Sequence, residues 1–311
     1  MPATPSVIGR ARWPIIAAVT DLTVIIPAFN EAGGIAPTLK ALAAAMAGSG
    51  IDHRILVVDD GSTDGTGAIL DGLASGPDAV PHLEVLRHPR NRGYGASLKS
   101  GIRAATSDVV AITDADGTYP NERLPELYRK LVDERADMII GARTGDSVHI
   151  PLVRRPAKAL LRGLANYLSG HRIPDLNSGL RVFRRAPVME HFRLISDGFS
   201  FTTTVTLALL ARNHAVVFVP IDYHHRTGAS KIRPIRDTAN FVVLILRACV
   251  FFEPLKVFLP VAGALAAVGV AWGVAQLTAT GGLGEAPVLF LLAGLQTLLV
   301  GLIADMISRR N

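Results

Sequence analysis

From Thr23 to Ala142 the chain alternates short β-rich runs with helix-patterned segments, and no other feature restricts its fold as strongly. Runs at Thr23–Pro27, His53–Val58, His82–Arg87, Asp108–Thr113 and Met138–Ala142 have the length and the branched apolar content of strands. The segments between them, roughly Ile35–Ala47, Thr66–Ala74, Tyr94–Ala105 and Asn121–Val132, read as helices, three of which open after a glycine. This order predicts an α/β fold with a mostly parallel sheet, because parallel neighbours need a crossover connection of about that length. Beyond Arg143 the pattern loosens, and a strand at Gly179–Phe183, a helix near Phe201–Arg212 and a strand at Val216–Ile221 are expected.

Ligands of such sheets bind in the crevice outside the carboxyl ends of the strands. Three polar clusters fall there: Phe29-Asn30-Glu31 after the first strand, Asp59 to Gly65 after the second, and Asp114-Ala115-Asp116 after the fourth. Asp114 and Asp116 flank one small residue, so their carboxylates can lie close together. Hard oxygen ligands of this kind hold a divalent metal, Mg²⁺ or Mn²⁺, which stabilises the charge of a departing nucleoside diphosphate. Asp-rich segments also serve as plain turns. Acids gathered on one edge repel, however, unless a cation or donor groups sit among them. The strand ending in Asp59-Asp60 is expected beside the one ending in Asp114, with Asp59 or Asp60 holding the nucleoside.

The chain has 311 residues, room for one large α/β domain and an appendage, and its mean hydropathy of +0.34 is raised by the last sixty or so residues. Val257–Leu277 and Ala286–Ile307 each approach the roughly 20 residues that carry a helix across a bilayer. Buried core helices are the alternative, but runs this long without Lys or Arg are unusual in soluble folds. Arg247 and Lys256 precede the pair and Arg309 and Arg310 follow it, which puts both outer ends in the cytoplasm. The expected organisation is an arm at 1–22, a catalytic domain at 23–235, a surface-lying helix at 236–256 and a hairpin at 257–311. That describes a multi-pass protein of the cell (inner) membrane with its catalytic domain cytoplasmic. The net charge of +6 comes without any nucleic-acid-binding signature. Ten Lys or Arg against three acids between Arg143 and Arg193 suit lipid head groups and phosphorylated substrates instead. The single cysteine, Cys249, permits no disulfide within the chain.

Taken in order, Val24-Ile25-Ile26-Pro27-Ala28-Phe29-Asn30-Glu31, Val57-Val58-Asp59-Asp60-Gly61-Ser62-Thr63-Asp64-Gly65-Thr66, Asn91-Arg92-Gly93-Tyr94-Gly95-Ala96 and Asp114-Ala115-Asp116-Gly117 resemble the family 2 glycosyltransferases of GT-A fold. A closer resemblance, to the branch of dolichol-phosphate mannose synthase and bacterial polyprenyl-phosphate glycosyltransferases, is carried by Gly141-Ala142-Arg143, Asp175 to Phe183, Arg226-Thr227-Gly228-Ala229-Ser230-Lys231 and the terminal spans. The resemblance implies Asp114 and Asp116 as metal ligands. It implies Pro27, Ala28, Asn30, Glu31, Asp59, Asp60, Gly93 and Ala115, with the acid pair, as nucleotide-sugar contacts. Arg143, Arg181, Arg226, Ser230 and Lys231 become candidates for phosphate binding, and a homo-oligomer is expected. Thr118 stands where many relatives have Gln, and Ser200 to Thr204 is hydroxyl-rich where relatives often place a carboxylate.

The acceptor implied is a polyprenyl or dolichyl phosphate, and the chemistry agrees. A sugar hydroxyl needs a general base, whereas a monophosphate with a second pKa of about 6 is already anionic. Cations that bring two anionic substrates together then suffice. A processive polysaccharide synthase would share the first motifs but carry a Gln-x-x-Arg-Trp signature, and the only glutamines here are Gln276 and Gln296. A dinucleotide-binding reading of Gly93-x-Gly95 lacks its third glycine, Leu98 standing there. A scaffold without activity would be expected to have lost one of the paired acids.

Overall fold

The computed structural model describes residues 21–144, 163, 166–167, 170, 172–223, 250 and 253–310. The N-terminal arm up to residue 20, Arg226, Ser230, Lys231 and most of the expected surface helix lie outside the described residues. The chain divides into two compact units, one built mainly from residues 21–144 and 173–223, the other mainly from 253–310.

The first unit is an α/β sandwich around a seven-stranded sheet. Its strands are β1 (Asp21–Ala28), β2 (Asp52–Asp59), β3 (Leu83–Arg87), β4 (Val109–Ile112), β5 (Met138–Arg143), β6 (Arg181–Arg184) and β7 (Val216–Ile221). The helices are α1 (Ile35–Ala47), α2 (Thr66–Ser75), α3 (Tyr94–Ala104), α4 (Leu124–Asp133), α5 (Arg185–Glu190) and α6 (Phe201–Ala211). A 3₁₀ turn at Asn121–Arg123 leads into α4, so the segment expected as one helix is two elements. Pro125 explains the break, since its ring fits a helix's first turn and no later one. The strand order is β3-β2-β1-β4-β6-β5-β7, parallel throughout except for β6.

Two expectations are corrected here. β1 lies between β2 and β4, so the two acid-bearing strands are not direct neighbours. The reason is winding: after β1 the chain runs outward through β2 and β3, then returns to the other side of β1 to begin β4. That reversal creates a switch point between β1 and β4, where the connections leave in opposite directions and open a crevice. The strand expected at Gly179–Phe183 begins instead at Arg181 and inserts antiparallel between β4 and β5. Ser178 and Gly179 are held outside the ladder, where Gly179 N–H donates to the Tyr119 hydroxyl at 2.7 Å.

The core explains why the central strands are nearly continuous apolar runs. Val24, Ile26, Val57, Val109, Ala111, Ile139, Val182 and Val217 pack with Leu39 and Leu42 of α1 and Leu124, Leu127 and Leu131 of α4, all fully buried. Burial of each large side chain contributes about 1.5–3 kcal/mol, and helices on both faces leave no room for polar alternation.

The second unit is a helical hairpin, α7 (Pro254–Thr280) and α8 (Glu285–Arg310). Both helices are long and apolar enough to cross a membrane, with mean hydropathies of 2.0 and 2.2. α7 starts at Pro254 rather than Val257, again with proline in the first turn. Small residues let the backbones approach: a Cβ on Gly294 would lie 3.0 Å from the Ala262 carbonyl, and one on Gly301 would overlap Phe258. Leu259, Val270, Trp272, Leu289, Leu295 and Ile303 point outward and are about half exposed, a surface suited to lipid tails rather than water.

Candidate active site

Three chain segments converge at the carboxyl ends of β1, β2 and β4. At β1, Asn30 takes a left-handed conformation, φ 57°, and turns the chain across the edge. That turn is locked to the loop after β2. Asn30 N–H donates to Ser62 Oγ at 3.0 Å, Thr63 N–H to Asn30 Oδ1 at 2.8 Å, and Glu31 N–H to Thr66 Oγ1 at 2.9 Å. Asp64 accepts from Ala32 N–H and from both the N–H and the hydroxyl of Thr66. The Thr66 hydroxyl leads the causes that hold its pKa below the ordinary value. Asp59 to Thr66 is therefore a clasp between the loops after β1 and β2.

Asp59 and Asp60 are buried, at 5% and 2% exposure. Asp59 accepts from Ser62 N–H at 3.0 Å. Asp60 accepts from His88 Nδ1 at 2.6 Å and from the N–H groups of Arg92 and Gly93 at 2.8–3.1 Å. Burial alone would raise the Asp60 pKa, but these donors, His88 first, bring it below its ordinary value. Asp60 thus fixes the start of α3, and Gly93 with it.

Asp114 and Asp116 stand past the end of β4, beside the switch point. Each has its own support. Tyr94 OH donates to Asp114 Oδ1 at 3.0 Å, and Gly179 packs so closely that a Cβ there would lie 2.8 Å from Asp114 Oδ2. Thr118 donates to Asp116 Oδ1 from its hydroxyl at 2.6 Å and its N–H at 3.2 Å. Thr118 therefore orients Asp116. The Ala115 carbonyl accepts from Thr38 Oγ1 of α1 at 3.0 Å. Burial first, then the Asp114 charge, raises the pKa of both Tyr94 and Tyr119, so both phenols stay protonated and Tyr94 is a hydrogen-bond donor rather than a base. The donor set fits a hard divalent ion: two carboxylates on one turn, pre-aimed by neutral hydroxyls.

Of the arginines expected to bind phosphate, the described ones already have protein partners. Arg143 is bidentate to Asp175, Nε to Oδ2 at 2.7 Å and Nη2 to Oδ1 at 3.0 Å, and its guanidinium lies 5.2 Å from the Tyr223 ring centre. Arg181 is fully buried and donates to the Ser178 and Leu176 carbonyls and to Thr206 Oγ1 at 2.6–2.8 Å. Desolvation pulls its pKa down to about 10. The hydroxyl-rich start of α6 is equally inward: Thr203 donates to Asn177 Oδ1, and Thr204 accepts from Ser196 N–H.

Sequence reasoning did not single out Tyr119, Gly179 or Thr38 as supports of the acid pair, nor Asp175 as the partner of Arg143. The only signal for three of them was their place in or beside quoted motifs; Thr38 carried none. The loop 196–199 was also missed. Ala96 N–H bonds the Asp197 carbonyl at 2.8 Å, Lys99 Nζ reaches the Asp197 carboxylate at 2.7 Å, and Phe199 lies 5.9 Å from the Tyr94 ring. Gly95 permits this, since a Cβ there would come within 2.4 Å of the Ser196 carbonyl. Gly95→Ala is expected to displace the loop, destabilising the protein by about 1–3 kcal/mol and reducing kcat/KM about tenfold through Tyr94 and Asp114. Thermal unfolding and steady-state assay of the same preparation check both.

A doubly wound α/β fold has its ligand crevice at the switch point, which is where the supported acid pair stands. The model of glycosyl transferase family 2 matches residues 23–192, and that of the GtrB C-terminal hairpin matches residues 253–309. A polyprenol monophosphomannose synthase of Mycolicibacterium smegmatis is 34% identical over 72% of this chain and 86% of its own. The low-salt glycan biosynthesis hexosyltransferase Agl6 of Haloferax volcanii is 30% identical over 90% of this chain and 67% of its own. Among solved structures, glucosyl-3-phosphoglycerate synthase from Mycobacterium tuberculosis, in complex with Mn²⁺, UDP-glucose and phosphoglyceric acid, superposes with a TM-score of 0.57 at 19% identity, covering 75% of this chain and 80% of that one. The chain belongs to glycosyl transferase family 2 and is a glycosyltransferase.

Proposed function

We propose that this glycosyltransferase moves a hexose from a nucleotide-diphosphate sugar, of the GDP-mannose or UDP-glucose type, to a polyprenyl or dolichyl phosphate. The reaction is a metal-assisted inverting displacement at the cytoplasmic face of the cell membrane. The observation that carries the reading is the Asp114-Ala115-Asp116 turn at the switch point, with each carboxylate oriented by a separate hydroxyl donor. The acceptor is supported by relatives whose names specify polyprenol, dolichyl or undecaprenyl phosphate, and by two helices of spanning length.

Asp114 and Asp116 would hold Mg²⁺ or Mn²⁺, which supplies charge neutralisation to the diphosphate. Pro27, Ala28, Asn30, Glu31, Asp59, Asp60, Gly93 and Ala115 would contact the nucleotide sugar. Asp60 positions Gly93 and Arg92, and the clasp between Asn30 and Thr66 keeps the two loops together. Arg226, Ser230 and Lys231 would supply positive charge and a hydroxyl donor to the phosphates, whereas Arg143 and Arg181, paired with Asp175 and with Thr206 and two carbonyls, would act on them only through the loops they hold. Because the acceptor oxygen is already anionic, it attacks C1 directly: the new C1–O bond forms as the C1–O bond to the diphosphate breaks, and the nucleoside diphosphate leaves with that electron pair. No protein base takes part.

Membranes containing the protein, given labelled nucleotide sugars and polyprenyl phosphate, are expected to form an organic-extractable product. Its anomeric configuration is opposite to the donor's. EDTA should abolish the product, and Mg²⁺ or Mn²⁺ should restore it. Transfer that ignores EDTA would remove the metal from the account, and a product retaining the donor's configuration would remove the single displacement.

A further inference from the structure

We propose that Glu190, His191 and His214 form a second cation site, on the sheet edge opposite the acid pair, that takes a divalent transition metal of the zinc class. Glu190 closes α5 and His191 follows it, while His214 lies in the turn between α6 and β7. Their ligand atoms all lie within 4.8 Å of one another. A tetrahedral zinc ion would draw such atoms to roughly 3.4 Å apart, and Glu190, which is exposed, can supply that movement.

Two further observations point to a ligand. His191 is 6% exposed, yet its Nε2 is buried without a hydrogen-bond partner among the described residues. An unsatisfied buried nitrogen is destabilising, and a coordinated ion removes that cost. His214, 7% exposed, is already oriented as a metal ligand is. Its Nδ1 lies 3.1 Å from Asp137 Oδ2, and because a carboxylate only accepts, Nδ1 carries the proton and Nε2 presents a lone pair. Asp137 is itself anchored by Ala215 N–H at 2.9 Å. A carboxylate behind an imidazole is the arrangement that fixes tautomer and aim in histidine metal sites.

The donor set separates the two sites chemically. Two imidazoles and one carboxylate, with a fourth position for water, suit zinc, whereas Asp114 and Asp116 offer only oxygen. The sites also stand at opposite ends of the strands: β5 and β7 begin next to Asp137 and Ala215, while Asp114 lies past the far end of β4, which runs parallel to them. An ion here would tie the end of α5 to the turn before β7, a structural clamp rather than a part of sugar transfer.

The test uses the full chain in detergent, stripped of metal and held in excess Mg²⁺, titrated with Co²⁺ and then Zn²⁺. One cobalt per chain with the strong visible absorption of four-coordinate cobalt is expected, bleached by zinc. D116N should keep that signal and H191Q should lose it. Should H191Q fail to fold, E190Q alters only an exposed side chain and should bind zinc roughly tenfold more weakly or worse. The proposal is overturned if the wild-type chain gives no such absorption, if D116N abolishes it, or if H191Q and E190Q both match the wild type, leaving Asp137–His214 as an ordinary buried hydrogen-bonded pair.

Discussion

Asp116→Asn is expected to cut sugar transfer about a thousandfold, ~4 kcal/mol of transition-state stabilisation, with almost no change in stability. The two effects separate because of how Asp116 is held. Its Oδ1 accepts from the Thr118 hydroxyl and N–H, and an asparagine carbonyl in the same place accepts both. The turn therefore survives, and what disappears is one negative charge and one hard ligand. Melting temperatures should agree within about 2 °C. Undiminished transfer by a folded D116N protein would remove the acid pair from the chemistry.

Asp175→Asn is expected to act in the opposite sense, on stability first. The Asp175 side chain is 4% exposed and accepts four bonds, from Arg143 Nε, Nη2 and N and from Asn177 N. Burial pushes its pKa up, but the Arg143 hydrogen bonds and charge outweigh burial and bring it down to about 2, against an ordinary 3.8. Its folded-state pKa is depressed, so its contribution is fully present above about pH 4 and is lost as the pH falls through about 2. Removing one partner of such a pair costs about 3–5 kcal/mol, because Arg143 is left half-desolvated without its anion. Urea unfolding in detergent between pH 7 and pH 2 should show D175N far less stable at neutral pH and less sensitive to acid than the wild type. Equal midpoints at pH 7 would show that water solvates Arg143 well enough to replace the carboxylate.

The parts of the fold legible in the sequence were those governed by local pattern. β7 and α1 fall at the residues expected, and the first five strands differ from expectation by one or two residues at an end. Strand order was less accessible. Nothing near β2 or β4 states that β1 lies between them, since that follows from the direction in which each crossover winds. The antiparallel insertion of β6 is likewise a property of its partners: Val182 pairs with Ala111 on one side and Ile139 on the other, contacts from distant parts of the chain.

The site divides the same way. Asp114 and Asp116 are legible because two acids one residue apart share a turn whatever packs around them. Their supports are not, because Tyr94, Gly179 and Thr38 reach them from α3, the β6 approach and α1 across large sequence separations. Residue type also misleads where charge is turned inward. Arg181 looks like a phosphate ligand in sequence, yet its guanidinium satisfies two carbonyls and a threonine hydroxyl within the protein.

The proposed acceptor atom is a phosphate oxygen of a lipid. Phosphorus NMR of a detergent reaction containing the full chain, a nucleotide sugar and a short-chain polyprenyl phosphate tests it most directly. The lipid monoester resonance is expected to convert to a glycosyl phosphodiester resonance, one for each nucleoside diphosphate released. Release of nucleoside diphosphate with the monoester resonance unchanged would contradict it and place the sugar on water or a hydroxyl instead.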